Sequence, residues 1–435
     1  MKDKKHLKIM IPVVSAALAL LIAAGVFFSL NFFNQKSTKN SEKDIDYVFP
    51  DAKMFGDEKD IKLSVWAPAE EVEITRELAE VFKNHYPDVK INSIEVEEHG
   101  ENDAVIITSE PPGDVIYVRS SELGKMCDAQ LFSPVSQDFV NDIQDSNYEQ
   151  CIDAVTSDNT IYAYPYSCGY GCYLVYDKSV VSDSDAETLE GVLKACKNAG
   201  KKFVTENTNG YFACAYAFTG GVIPNGFEDD SVTQRFAEYN EETAVETLQA
   251  FAKLLKEYKG IILSDQPSGY IFENGTAAAG ISGSRNANKE YEALKSNYGA
   301  AKLPTIRVGN EDKQMVSIQD FAGYGVNTHS DFPNASQMLA YFLSCEKCQI
   351  ERAKATGLAP SRKKAQETMS EDPVIKAVTK QLPFTVSSKE LSGSFWYNMG
   401  KLGTELSGDS FDPDDRETAK ELLQKTVNNI IENKD

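Results

Sequence analysis

Chemistry in this chain of 435 residues is sought first in its cysteines, histidines and carboxylates. Of eight cysteines, only Cys345-Glu346-Lys347-Cys348 has a C-x-x-C spacing. A zinc site built on it would need a second pair, and none follows. His6, His85, His99 and His329 make no ligand pair at useful spacing, so no metal is expected. The remaining cysteines read as small buried hydrophobes, although an extracellular chain can also oxidise such residues to disulfides. With 66 Asp and Glu, some carboxylate pair will always fall within reach, so such a pair says little about acid–base catalysis. No phosphate loop, no G-x-S-x-G and no H-E-x-x-H occurs. Neither an enzyme nor a cofactor is expected. The net charge of −22 argues against nucleic acid, whose phosphates need basic patches.

What the chain does offer is binding chemistry. It carries 20 Tyr and 22 Phe, enough for aromatic faces as well as a core. A polyol ligand with apolar CH faces needs such faces plus planar polar groups. The elements that would position them are legible. Pro111-Pro112-Gly113-Asp114 reads as a turn, Val115–Val118 as a buried strand, and Ser120 or Ser121 as the cap of a helix with Glu122 at its positive end. In an open α/β sheet, ligands bind where strands end and helices begin. Ile61–Trp66 alternates as a strand with one buried face. Ile74, Leu78, Val81 and Phe82 then follow at helical spacing, and Val89–Ile94 reads as a second strand. That order predicts a parallel α/β layer. Two extended runs flank Gly169-Tyr170-Gly171, which fits a hinge. Glu241–Tyr258 is a predicted helix, and Phe272–Gly283 a helix end, turn and strand. The length suits two lobes of ordinary size.

The N-terminus is of another kind. Ile9–Leu30 comprises 22 uncharged residues behind Lys2, Lys4, Lys5 and Lys8, long enough to span a bilayer with the remainder outside. A cleaved signal peptide, with Ala23-Ala24-Gly25 as cleavage point, is the competing reading. Apolar residues continue to Phe33, which favours an uncleaved anchor over residues 1–33. Residues 34–60 are polar and aperiodic and read as a flexible tether.

Several of these stretches, in this order, resemble segments of the extracellular solute-binding proteins of carbohydrate ABC transporters. They are the Leu63-Ser64-Val65-Trp66 strand, the Gly113-Asp114 strand, Ile161–Lys178, Phe272–Gly283 and Phe395-Trp396-Tyr397. The resemblance runs from about Ile61 to Ile431 and is closest to the maltose/maltodextrin-binding proteins. It implies an α/β, two-lobed, periplasmic-binding-protein-like fold with a hinge. It divides the chain into a first lobe (61–168 and 318–375) and a second (169–317 and 376–435). It also implies an oligosaccharide ligand in the interlobe cleft, ABC permease subunits as partners and a monomer. Carried over position by position, the family's Asp-Lys pair is Glu70-Glu71 here. Its Asp-Arg pair is Ser121-Glu122, and its acidic hinge residue is Tyr170. The "E-P-Y-F" segment keeps its aromatic as Tyr211 and loses the acid. A Trp after the Gly-rich strand is Arg285, and the C-terminal aromatics survive as Trp396 and Tyr397. The expected ligand is therefore a malto-oligosaccharide or a related glycan. A membrane-anchored sugar sensor or adhesin on the same fold is the alternative.

Overall fold

The alternation that begins at Ile61 builds β1 (Ile61–Ala67), with Ile61, Leu63 and Val65 buried. The computed structural model describes residues 45–99, 112–228, 233–264, 272–389 and 391–434. Helix α1 (Val72–His85) buries Leu78 and Phe82, two of the positions its spacing predicts. Strands β2 (Ile91–Glu98) and β3 (Val115–Arg119) pair parallel with β1 on its two sides. Parallel pairing requires the crossover that α1 supplies between β1 and β2. Helix α2 (Ser120–Asp128) starts directly from the end of β3.

The sheet then runs through one long strand, β4 (Ala163–Asp177), buried over all but its last residue. With β5 (Lys202–Val204), β6 (Ile262–Leu263), β7 (Ala277–Gly283), β8 (Tyr298–Ala301) and β9 (Ser317–Asn327), the order is β6-β5-β7-β4-β9-β3-β1-β2. The first half of β4 pairs antiparallel with β9, and its second half with β7 and β8. Its side chains divide likewise. Tyr164, Tyr166 and Tyr170 join a core with Val65, Phe82 and Leu339. Cys172, Leu174 and Tyr176 join another with Phe203, Phe218 and Phe395. A third cluster, around Tyr173, Phe321 and Ile375, packs behind the two crossing strands. These cores make the fold two-lobed α/β. Strand β10 (Thr385–Ser387) runs parallel beside β9 and leads to the last helices.

Gly169-Tyr170-Gly171 therefore lies inside a continuous strand, and no turn occurs there. A Cβ on Gly169 would sit 2.6 Å from the Ala359 backbone nitrogen, and one on Gly171 2.1 Å from Gln319 Oε1. The Leu358–Ala359 backbone leaves no room for a side chain at Gly169, and the buried Gln319 amide fills that room at Gly171.

The second lobe carries α3 (Gly210–Thr219) and α4 (Glu241–Glu257); the first carries α5 (Pro333–Leu343) and α6 (Glu346–Thr356). Helices α7 (Gly393–Ser407) and α8 (Arg416–Ile431) return to the second lobe.

Two expectations change. The tether was expected to reach residue 60, but residues 45–60 form a packed strap. Phe49 stacks on His85 at 3.5 Å and on Phe342 at 4.9 Å, Phe55 is buried, and the Tyr86 hydroxyl donates to the Pro50 carbonyl at 2.6 Å. The reason is the aromatic residues spaced among its charges, which find apolar partners on α1 and α5. Neither Ser120 nor Ser121 caps α2; Arg119 holds the cap position without a side-chain bond. Both hydroxyls bind Asp320 instead. The predicted anchor, residues 34–44 of the predicted tether and Pro111 lie outside the described residues. Among the described residues no helix is long and apolar enough to cross a membrane.

Candidate functional site

The end of β1 supplies the first pair of carboxylates. After Pro68 a short 3-10 turn, Ala69–Glu71, sends two adjacent side chains opposite ways. Glu70 is exposed. Glu71 is fully buried, and its carboxylate accepts from Tyr170 at 2.8 Å, Tyr166 at 3.2 Å and Arg352 of α6 at 2.7 Å. The Arg352 guanidinium also donates to Thr75 at 2.9 Å and lies over the rings of Tyr166 and Tyr324, at 4.6 and 5.5 Å. A buried carboxylate needs this full set of donors to stay charged. Burial, and then the Glu71 charge, push the Tyr170 hydroxyl well above its ordinary value, which keeps it a donor.

The end of β3 builds a second knot around Asp320, from the middle of β9. Ser120 donates to Asp320 at 2.5 Å, Ser388 at 2.7 Å and Ser121 at 3.3 Å. The Arg119 guanidinium stands 3.6 Å from the same carboxylate, and its Nε donates to the Tyr117 hydroxyl at 2.7 Å. The knot ties β3, β9 and the segment after β10 together.

The second lobe brings an aromatic face. Asn209 caps α3 by accepting from the Tyr211 N–H at 3.0 Å, which fixes Tyr211 at the helix start. The Tyr211 ring lies nearly parallel to Trp396 of α7, at 6.3 Å and 16°. Its hydroxyl donates to the Tyr170 carbonyl at 2.8 Å. Arg285 follows β7, whose next residue, Ser284, donates to the Gly169 carbonyl.

These three groups meet at Tyr170. Its ring carries the Arg119 guanidinium at 4.7 Å and the Arg285 guanidinium at 4.9 Å, one from each lobe. Arg285 also reaches Glu70 across the lobes, at 3.6 Å. Such cation–π contacts contribute about 0.5–2 kcal/mol each, according to exposure.

Of the residues expected in the site, Glu70, Tyr170, Tyr211, Arg285 and Trp396 form one chain of contacts between the lobes. Glu71 and Ser121 stand beside it in structural roles: the buried Glu71 carboxylate has its donors, and the Ser121 hydroxyl is spent on Asp320. Tyr170 is itself only 4 % exposed, so it offers little of its ring to solvent. Glu122 pairs with Lys125 on its own helix at 3.2 Å. Tyr397 is 48 % exposed, and Lys401 lies 4.1 Å over its ring. Sequence reasoning missed Arg119, Asp320, Ser388 and Arg352. Asp320 had a signal, an acid in the middle of the strand-forming run Ser317–Asn327. Arg352 had none, since it reads as one basic residue on a polar helix. The assembled groups can hydrogen-bond to hydroxyls from both lobes and stack against an apolar face.

A family model described as "bacterial extracellular solute-binding protein" matches residues 77–380. Solved structures share the fold. The maltodextrin-binding protein MalE1 of L. casei BL23 superposes with a TM-score of 0.73 at 22% identity, over 85% of this chain and 98% of that one. The Thermus thermophilus maltotriose-binding protein gives 0.65 at 18%, over 85% and 99%. MalE of Listeria monocytogenes in complex with maltose gives 0.65 at 20%, over 86% and 98%. No curated protein sequence matches the chain.

Proposed function

This chain belongs to the bacterial extracellular solute-binding proteins, a family of binding proteins rather than enzymes, and from that premise we propose that it captures an oligosaccharide between its lobes and delivers it to an ABC importer. The ligand class is a malto-oligosaccharide or a related glycan. The observation that carries this reading is the Tyr211–Trp396 face set beside the Arg119–Tyr170–Arg285 stack at the point where β4 joins the lobes. A sugar ring presents one apolar face and an edge of hydroxyls, and this corner offers a partner for each. The solved neighbours include complexes with maltotriose and maltose, which supports the ligand class.

On the same reading, residues 1–33 anchor the chain with its globular part outside the cell. The lobes divide at residues 168/169, 317/318 and 375/376. Glu70, Arg285, Tyr211 and Trp396 contact the ligand, with Tyr397 at the rim. Ligand binds the closed arrangement better than the open one and so selects it.

The two tryptophans test this. Trp66 is buried and stacked on His99 at 3.6 Å, so it serves as a steady background. Titrating the chain from Ile45 onward with malto-oligosaccharides should give a saturable fluorescence change that Trp396→Phe abolishes. A response to another glycan alone would move the specificity and keep the function. Silence across a glycan panel, confirmed by calorimetry, would replace the importer reading with the sensor or adhesin.

A further inference from the structure

The C-x-x-C pair takes no part in the cleft. It opens α6, with Cys345 at the N-cap and Cys348 as the helix's third residue. Residues three apart at a helix start are neighbours on one face, with Cβ atoms about 5–6 Å apart. A disulfide needs about 3.5–4.5 Å, and the N-cap residue has the non-helical backbone freedom to close that gap. Both side chains are fully buried. The strap covers this helix start, where its Tyr47 and Phe49 stack on Phe342, three residues before Cys345. The two cysteines thus lie one helical turn apart beneath a lid of N-terminal chain, at the positive end of a helix.

The electrostatics favour reaction at one of the two. The Cys348 thiol, then the backbone donors and the Arg362 charge, outweigh burial and draw Cys345 down to about 7. Burial holds Cys348 well above the ordinary thiol value. One nucleophilic sulfur beside one protonated sulfur is the division of labour that thiol–disulfide exchange uses.

We propose that Cys345 and Cys348 form an intramolecular disulfide when the protein works outside the cell, making the start of α6 a redox site beneath the N-terminal strap. The extracellular setting comes from the family and supplies the oxidising conditions. The oxidant is a small-molecule disulfide. The Cys345 thiolate attacks one of its sulfurs and expels the first thiolate. Cys348 loses its proton, attacks the Cys345 sulfur and expels the second. One S–S bond forms in the protein and one breaks in the oxidant. The cysteines lose two electrons, and two external thiols leave with the two protons. The exchange occurs before the strap docks, because docking buries both sulfurs. Closing so short a loop constrains the unfolded chain little, so the bond acts as a redox site rather than a staple.

The test refolds the full chain from denaturant in the presence of oxidised glutathione, then alkylates free thiols in denaturant and maps peptides by mass. The peptide holding both cysteines should be unalkylated, lighter by two hydrogens than its dithiol form, and should take two alkyl groups only after reduction. Peptide mapping counts any oxidation of Cys151 or Cys168 separately. In Cys348→Ser, Cys345 should instead retain glutathione, which traps the intermediate. Full alkylation of both cysteines in the unaltered chain, or glutathione left on Cys345 without closure, would overturn the proposal. The unaltered chain decides the matter even if the variant fails to fold.

Discussion

Glu70 and Glu71 are the same residue type at adjacent positions, and the structure gives them opposite fates. Glu71 is sealed against Arg352, which lies 281 residues further on. Its burial costs desolvation that only the full donor set offsets, so the pair should be costly to break from one side. Arg352→Met would leave a buried charge with two tyrosine donors and no counter-ion. We expect it to lower unfolding stability by about 3–5 kcal/mol, read as a fall in the urea midpoint. The double variant Glu71→Gln, Arg352→Met should recover part of that loss. If the single variant unfolds at the parental midpoint, the pair is not the support described here. The role of Glu71 was not legible in the sequence, because burial at this site depends on a helix that only folding brings near. The aromatic residues were more legible: Tyr211 and Trp396 were expected in one site, and their rings do stack.

At the scale of elements, the site depends on how closely α3 and α7 approach. A Cβ on Gly403 would lie 1.9 Å from the Asn207 carbonyl oxygen, and one on Gly210 2.1 Å from the Trp396 carbonyl oxygen. Backbone–backbone contact at these distances leaves no room for even a methyl group. Gly403→Ala should therefore push α7 away, cost about 1–3 kcal/mol and separate Tyr211 from Trp396. Paired melting and glycan titrations would show a lower Tm together with weakened binding. Binding that is unchanged despite a lower Tm would mean the aromatic face tolerates the displacement. The strand and helix identities around β1, α1, β2 and β3 were readable from periodicity, since each has one buried face of regular spacing. The strap over residues 45–60 was not, because its aromatic residues follow neither a helical nor a strand period.

For the whole molecule, the two lobes touch through Arg285, which binds Glu70 on one side and the Tyr170 ring on the other. Both charged groups are partly exposed, so the Glu70 contact contributes less than about 1 kcal/mol, or a factor of about five in the open-to-closed ratio. That is enough to bias a two-state equilibrium without locking it. Glu70→Gln should increase the radius of gyration of the ligand-free chain in small-angle scattering. Raising salt should do the same to the unaltered chain, since exposed pairs are screened. Added ligand should restore the compact form in both. Identical scattering for variant and parent at low salt would remove the latch.

The sequence by itself determined the α/β character, the two-lobed plan and the family resemblance. Those follow from local periodicity, chain length and the order of short motifs, properties read along the chain without its contacts. The tertiary structure alone decided which charges stay exposed between the lobes and which are buried. It set Asp320 among three serines from distant segments, placed two arginines on Tyr170 and closed the strap over Cys345 and Cys348. Each of these rests on contacts between residues far apart in the chain, where desolvation and partner geometry, rather than residue type, fix what a side chain does.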